Sequence, residues 1–301
     1  MPRRSPGQDF PVGTVARLTG LSEHVLRAWE RRHGAITPRR SPGGTRRYSA
    51  NDVSRLRLLS AAVDAGESIR DLAGLSNAEL AARAARAPAS DVARLDELFA
   101  ALAKLDIPAL ERQLGLQLAA LGVRPFLETI AVPFLREVGA RWQRDELRPS
   151  DEHAASAVMR GVLSRAQRAV GGPGAACLAL ATPAGELHEL GILMAALCAQ
   201  ERGVRVLYLG PDLPADEIAA AALRARVQAV GLGIVSLDPA AAAQEVRALR
   251  QRLPRTVELW LGGAGSARLP RRLEGTIAVP DLAELDLRLV LLGDLAQRER
   301  A

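Results

Sequence analysis

The chain holds one lysine, two cysteines and four histidines, and aromatic side chains make up only 3% of its 301 residues. Two cysteines, Cys177 and Cys198, cannot build a disulfide framework or a structural zinc site. Both lie in apolar runs, which predicts free, buried thiols in a reducing cytosol. No apolar run nears the ~20 residues needed to cross a bilayer, so no membrane span is expected. The start, Met1-Pro2-Arg3-Arg4, leads into Pro, Gly and Asp rather than an apolar stretch, which predicts no signal peptide and a cytoplasmic protein. Apart from Lys104 every basic side chain is arginine, a bias that base composition explains as well as function does.

What is present suffices for two or three domains: 48% of residues are hydrophobic and 25% charged. Charge is unevenly placed. Residues 1–55 carry eleven arginines against Asp9, Glu23, Glu30 and Asp52, a net of +7, while the whole chain is +6. The basic excess therefore belongs to one N-terminal module. Such a patch points to a phosphate backbone as partner, with a solvated arginine face as the alternative.

The order of residues favours nucleic acid. Thr14 to Leu18 reads as a short helix stopped by Gly20. Ser22 is a good N-cap for a second helix to about Arg32, with Gly34 just beyond. Val25, Leu26 and Trp29 can face a core, while His24, Arg27 and Arg31 share the opposite face. This is a helix-turn-helix with a basic outer surface. Pro38-Arg39-Arg40-Ser41-Pro42-Gly43-Gly44-Thr45-Arg46-Arg47-Tyr48 then reads as a turn-containing wing. Ser49 caps a third helix with Asp52 in its first turn. The string Val25-Leu26-Arg27-Ala28-Trp29-Glu30-Arg31-Arg32, followed by Arg46-Arg47-Tyr48-Ser49, resembles the winged-helix DNA-binding domain of the MerR family. The resemblance implies that the second helix enters the major groove and the wing meets the flanking backbone. Arg27, Arg31, Arg46, Arg47 and Tyr48 would be contacts, with His24 on the same helix face. Trp29 is read as core; Tyr48 divides evenly between packing and a phosphate contact. Metal sensors of that family carry effector cysteines after a long dimerisation helix. This chain has none there, which argues against a metal effector.

From Ser90 to about Val170 helical spacing predicts four helices, about 91–104, 107–121, 124–143 and 150–169, with Pro133 able to kink the third. This is the pattern of a four-helix bundle. Gly171-Gly172-Pro173-Gly174 reads as a linker. Beyond it, apolar runs at Ala176–Ala181, Val204–Leu209, Ala229–Val235, Val257–Leu261 and Thr276–Val279 alternate with helices near 187–202, 214–227, 239–252, 265–273 and 281–298. That alternation predicts a doubly wound parallel α/β sheet, with ligands at the carboxyl ends of the strands. The expected organisation is a winged helix over 1–78, a four-helix bundle over 90–170 and an α/β domain over 174–301.

The first strand–helix connection reads Thr182-Pro183-Ala184-Gly185-Glu186-Leu187-His188-Glu189-Leu190-Gly191. Imidazole is a good transition-metal ligand, and such a histidine usually gives its other N–H to a carboxylate. Glu186 is placed to accept it. Gly191 leaves room beside the helix, and Gly262-Gly263 at the fourth strand's end admits close approach. These residues resemble the cobalamin-binding domain of methionine synthase and its relatives, in the Glu/Asp-x-His-x-x-Gly form. The resemblance implies base-off cobalamin, His188 as lower cobalt ligand, and Gly262 and Gly263 lining the slot for the nucleotide tail. The family often has serine where this chain has Gly233; Ser236, three residues on, is the candidate substitute.

The bundle adds Trp142 and, after nine intervening residues, Glu152-His153. An interhelix anchor with solvated neighbours is the ordinary reading of that trio. Beside a cobalamin domain it resembles the upper-face motif of CarH-type photoreceptor regulators, which bind adenosylcobalamin. That resemblance implies Trp142 packed on the adenosyl group, Glu152 on its sugar or base, and His153 over the corrin. Well-studied relatives have histidine just after the tryptophan, where this chain has Gln143, a poor cobalt ligand; the stable photoproduct with that histidine on cobalt is not expected, and His153 or water is left as the upper ligand. The resemblance further implies a cofactor-assembled homotetramer on a double-stranded operator, repressing carotenoid or other photoprotective genes. A light-independent cobalamin sensor is the alternative. Catalysis is set aside because no residues remain for a substrate domain.

Overall fold

A computed structural model describes residues 9–41, 43–64, 67–84, 89–167, 176–270 and 273–298. The expected linker, Gly171 to Gly174, lies outside them, as does Pro42 of the wing. The chain divides into two compact units, Met1–Pro88 and Ala89–Ala301.

The first unit opens with α1 (Val12–Thr19) and α2 (Glu23–His33), joined at Gly20, whose φ of 72° suits glycine. Ser22 Oγ accepts from Val25 N at the start of α2, and Gly34 ends it with a left-handed φ of 59°. The wing follows as β1 (Arg39–Arg40) and β2 (Arg46–Arg47), antiparallel, with Arg39 opposite Arg47 and Arg40 opposite Arg46. In α3 (Ala50–Asp64) a capping box forms: Asp52 Oδ2 accepts from Ser49 N at 2.7 Å, and Ser49 Oγ from Asp52 N at 3.2 Å. Two short helices, α4 (Ile69–Leu72) and α5 (Asn77–Ala84), complete the unit. Leu26, Trp29, Tyr48, Leu56, Leu59 and Leu80 are buried in it.

The second unit begins with α6 (Ala89–Ala103), α7 (Ile107–Leu121), α8 (Val123–Phe126), α9 (Val132–Gln143) and α10 (Pro149–Ala166). The expected third helix of the bundle is one continuous run, α8 to α9, joined by a π-helical turn over Leu127–Ala131. Pro133 sits in the first turn of α9 and has no N–H to donate back. The wider π turn takes up the break that proline imposes.

The sheet that follows has β3 (Cys177–Pro183), β4 (Arg205–Leu213), β5 (Ala229–Gly233), β6 (Glu258–Gly262) and β7 (Ile277–Ala278), all parallel, in the order β4-β3-β5-β6-β7. The crossovers are α11 (Leu190–Glu201), α12 (Ala215–Ala225) and α13 (Pro239–Arg252), with α14 (Leu282–Arg298) after β7. The helix expected over 265–273 is instead a 3-10 turn, Ala264–Arg268. Its cause is close packing: a Cβ on Gly265 would stand 2.7 Å from Val235 O, and one on Gly263 would meet Ile234 O. The segment is held flat on the end of β5, where an α-helix has no room.

One hydrophobic core runs from the bundle (Leu110, Phe126, Phe134, Met159) into one face of the sheet and α11 (Leu178, Leu193, Ala196, Trp260). A second fills the opposite face under α12 and α13. The bundle is also fastened by charge. Buried Asp286 on α14 takes a two-pronged hydrogen bond from Arg202 at 2.7 and 2.9 Å, and Arg124 of α8 lies 3.6 Å from it. Bundle and sheet therefore share one interior. No described helix is long and apolar enough to cross a membrane.

Candidate functional site

The carboxyl ends of β3 and β5 meet where the order of strands turns back, β3 feeding the loop before α11. In that loop Thr182 Oγ1 donates to Glu186 O and accepts from Asp212 N at 2.9 Å, while Asp212 Oδ1 accepts from Gly185 N at 2.8 Å. The loop is thus braced by the end of β4. Thr182 and Asp212 were missed from sequence; Asp212 lies 27 residues from its partner and leaves no local signal.

Glu186 is fully buried. Its Oε2 accepts from the backbone N–H of Val235, Ser236 and Leu237 at 2.8, 2.7 and 2.9 Å. Oε1 accepts from His188 N at 3.1 Å and stands 2.6 Å from His188 Nδ1. Burial pushes this carboxyl up, but the backbone donors of 235–237 together with His188 outweigh it and hold the group at about 2. An ionised carboxylate can only accept, so the proton of the imidazole lies on Nδ1. Nε2 then carries the lone pair, on a side chain that is 57% exposed. A Cβ on Gly191 would meet nothing within 4 Å, so the space beside the start of α11 is open.

A depressed carboxyl stabilises the fold above its unfolded value and loses that contribution as pH falls through its folded one. Between 4.5 and about 2, Glu186 accounts for about 3 kcal/mol. Urea unfolding of the cofactor-free chain should therefore weaken over this acid window more steeply in the parent than in Glu186→Gln. Identical pH slopes in the two chains would remove Glu186 from that role.

Ser236 does not take the place expected of it. Its Oγ lies 3.2 Å from Glu186 Oε1 and 3.1 Å from His188 Nδ1, turned toward the histidine rather than along β5. At Gly233 a Cβ would meet Ile192 Cγ2 at 2.9 Å and Thr182 Cγ2 at 3.4 Å, so the serine of related domains is not accommodated without movement of Ile192. Gly262 and Gly263 close β6 against Val279 and Ile234. The backbone contact requires glycine at 263, while a Cβ at Gly262 would stand 3.2 Å from Val279 O and need a small shift.

At the tip of the bundle α9 ends with Trp142, 49% exposed, and Gln143. Arg144 pins the turn to α10 by ion pairs with Glu137 and Glu146 at 3.3 and 2.7 Å. Glu152 Oε1 accepts from Ser156 Oγ at 2.8 Å. His153 is exposed, with Nδ1 2.8 Å from Pro149 O and 3.1 Å from Glu152 Oε2. A large exposed tryptophan, a carboxylate and an imidazole thus stand at one end of the bundle.

The donor set suits a corrinoid: one imidazole with a free, accessible Nε2, its other nitrogen fixed by a buried anion, and open space at Gly191. His188 would hold the cobalt of such a group, and Trp142, Glu152 and His153 would face its other side.

In the first unit His24, Arg27, Arg31 and Arg46 line one cleft with Val12, Gly44 and Thr45. Arg27 and Arg31 are exposed; Arg27 pairs with Glu23 at 2.7 Å. Arg47 is half-buried in the wing. Two expectations change. Tyr48 is fully buried, its backbone paired to Phe10, so it packs and does not reach a phosphate. Arg46 is committed to Glu30, Nε to Oε2 at 2.5 Å, across 16 residues. The wing's exposed arginines are Arg39 and Arg40, which the sequence places in the wing without singling them out. Arg55 is structural: it donates to Ala35, Ala73 and Leu75 carbonyls at 2.6, 2.7 and 2.8 Å.

Three regions of the chain resemble known protein families. Residues 10–79 match a family model described as MerR HTH family regulatory protein. Residues 94–167 and 176–282 each match a model described as a B12 binding domain. The chain is 34% identical over 269 residues to the HTH-type transcriptional repressor CarH of Myxococcus xanthus, covering 86% of this chain and 90% of that one. It is 32% identical over 230 residues to the repressor CarA of the same organism, covering 74% and 76%. A solved Methanosarcina barkeri monomethylamine corrinoid protein shares the fold, with a TM-score of 0.53 at 14% identity over 67% of this chain and 99% of that one.

Proposed function

From a chain that belongs to the CarH-type, MerR-family B12-binding transcriptional regulators, we propose a repressor whose effector is adenosylcobalamin and whose signal is light. The observation that carries the cofactor is His188, with Nδ1 locked on buried Glu186 and Nε2 free. In this reading residues 1–78 bind the operator, 90–170 cover the upper face of the cofactor and 174–301 hold its lower face. His188 is the lower axial ligand, oriented by Glu186 and Ser236. Trp142 packs on the adenosyl group, Glu152 binds its sugar or base, and His153 lies over the ring. Adenosylcobalamin supplies a cobalt–carbon bond that visible light breaks. Operator binding is assigned to several heads per site, joined in a cofactor-dependent tetramer. The targets follow those of the resemblance, carotenoid or other photoprotective genes. Catalysis is not proposed, since the similar full-length relatives are repressors. The test is the absorption spectrum of the chain with adenosylcobalamin, before and after green light. A spectrum unmoved by the protein overturns cobalamin binding; binding without a light change leaves a plain cobalamin sensor.

The residues proposed to face DNA differ from the sequence expectation at the wing. His24, Arg27, Arg31, Arg39, Arg40 and Arg47 are the groups proposed to meet DNA, while Arg46 holds the wing to the recognition helix through Glu30. Pure electrostatics predicts that removing an acid from a DNA-facing surface strengthens binding. The Glu30–Arg46 geometry predicts the reverse for Glu30→Gln: weaker operator binding with the slope of log affinity on log salt nearly unchanged. Fluorescence anisotropy over a salt series decides the sign. Tighter binding by Glu30→Gln would return Arg46 to the phosphate contacts.

A further inference from the structure

His188 is bracketed by two carboxylates with different attachments. Glu186 is fixed within the sheet layer, by β3's loop and the 235–237 backbone. Glu189, the residue after His188 and the cap of α11, is fixed to both layers. Its Oε1 meets Arg160 Nε of α10 at 2.6 Å, and its Oε2 accepts from Tyr208 Oη of β4 at 2.6 Å. Burial, then the Glu189 carboxylate, push the Tyr208 hydroxyl up, so it remains a donor. Glu189 is only 14% exposed.

Arg160 has further meaning from its place on α10. Glu152, Ser156 and Arg160 stand at i, i+4 and i+8, along one face of the helix. Glu152 and Ser156 are hydrogen-bonded at 2.8 Å. The same helix face therefore carries the proposed upper-face carboxylate at one end. At its other end, about 12 Å along, it grips the residue next to the proposed cobalt ligand.

We infer that the Arg160–Glu189–Tyr208 chain is a coupling device: it transmits the position of α10, set at the bundle tip, to the backbone that carries His188, and so sets how firmly the imidazole is held for cobalt. This rests on His188 being the axial ligand. Arg160, Glu189 and Tyr208 are positioning residues. A simple staple between layers would affect stability alone; a coupling device also changes axial ligation and makes it depend on the tip.

The test uses the full chain loaded with cob(II)alamin, whose electron paramagnetic resonance spectrum shows nitrogen splitting when an imidazole is bound. In the parent the split signal should dominate. Arg160→Gln and Glu189→Gln should each lower the ratio of imidazole-bound to unbound cobalt by about 10-fold, the lower end for groups that orient a metal ligand. Arg160→Lys, which keeps the charge, should restore most of it. The dependence on the tip is read with adenosylcobalamin: Trp142→Ala should weaken its binding in the parent and weaken it little further in Arg160→Gln, the non-additivity of one pathway. Lower melting temperatures with an unchanged ratio would overturn the coupling, as would fully additive effects of the two substitutions on that affinity. Arg160 is 49% exposed, so Arg160→Gln remains informative if Glu189→Gln fails to fold. A parent chain with no nitrogen splitting removes the His188 reading itself. A split parent signal with unmoved variants removes only this inference.

Discussion

His188→Ala should lose adenosylcobalamin affinity by on the order of 100-fold or more, while the cofactor-free chain folds and melts much as the parent does. The first half follows from chemistry. Groups that merely orient a ligand are worth about 10- to 100-fold in metal affinity, and the ligand itself should reach at least the upper end. The second half follows from placement. The imidazole is 57% exposed, so its removal leaves no internal cavity, and Glu186 keeps the three backbone donors of 235–237. The contrast is Glu186→Ala, which strands those buried N–H groups at about 1–3 kcal/mol for each left unsatisfied and should damage fold and binding together. Spectral titration with adenosylcobalamin and a thermal melt separate the two. Parent-like affinity in a folded His188→Ala chain would end the assignment of this residue.

The second large effect is on DNA. Dark, cofactor-loaded protein should bind its operator tightly and elute as a large oligomer; after green light both should collapse. The chain's part is played at the bundle tip. Trp142, already 49% exposed, and Glu152 lose the group they are proposed to hold, and an interface built on that tip weakens. Linked heads gain 10²- to 10⁴-fold over single ones, so loss of linkage should lower operator affinity on that order. Gln143 adds a feature of this chain. An amide is a poor cobalt ligand, so the illuminated protein should lack a two-imidazole spectrum and release cobalamin more readily than Gln143→His. Size exclusion, operator titration and spectra in dark and light provide the test. Oligomer and affinity identical in both would defeat the photoreceptor reading.

Much of the architecture follows from local rules. Ser22, Gly20 and Gly34 punctuate α1 and α2 because caps and left-handed stops act within one turn. Five short apolar runs alternating with helices produce the parallel sheet because a helical crossover brings each strand back in the same direction. Glu186 meets His188 because two residues in a loop are neighbours whatever surrounds them. The bundle's helices fall within a few residues of their expected ends, and Pro133 marks the disturbed one.

The remaining decisions belong to tertiary structure, since their partners lie far apart in sequence. Glu186 is ionised and immobile only because the backbone 49 to 51 residues later turns its N–H groups inward. That same turn directs Ser236 to the histidine. Arg46 is paired with Glu30 because the wing folds back on α2, and Tyr48 is buried where its backbone pairs with Phe10. The helix expected at 265–273 shrinks to one turn because β5 lies against Gly263 and Gly265. Arg160 reaches Glu189 only because bundle and sheet share one apolar interior. Residue type and spacing determined which groups this protein has for its chemistry. Which of them are free to act was decided by packing, since a charge or hydroxyl is available only if no distant partner has already taken it.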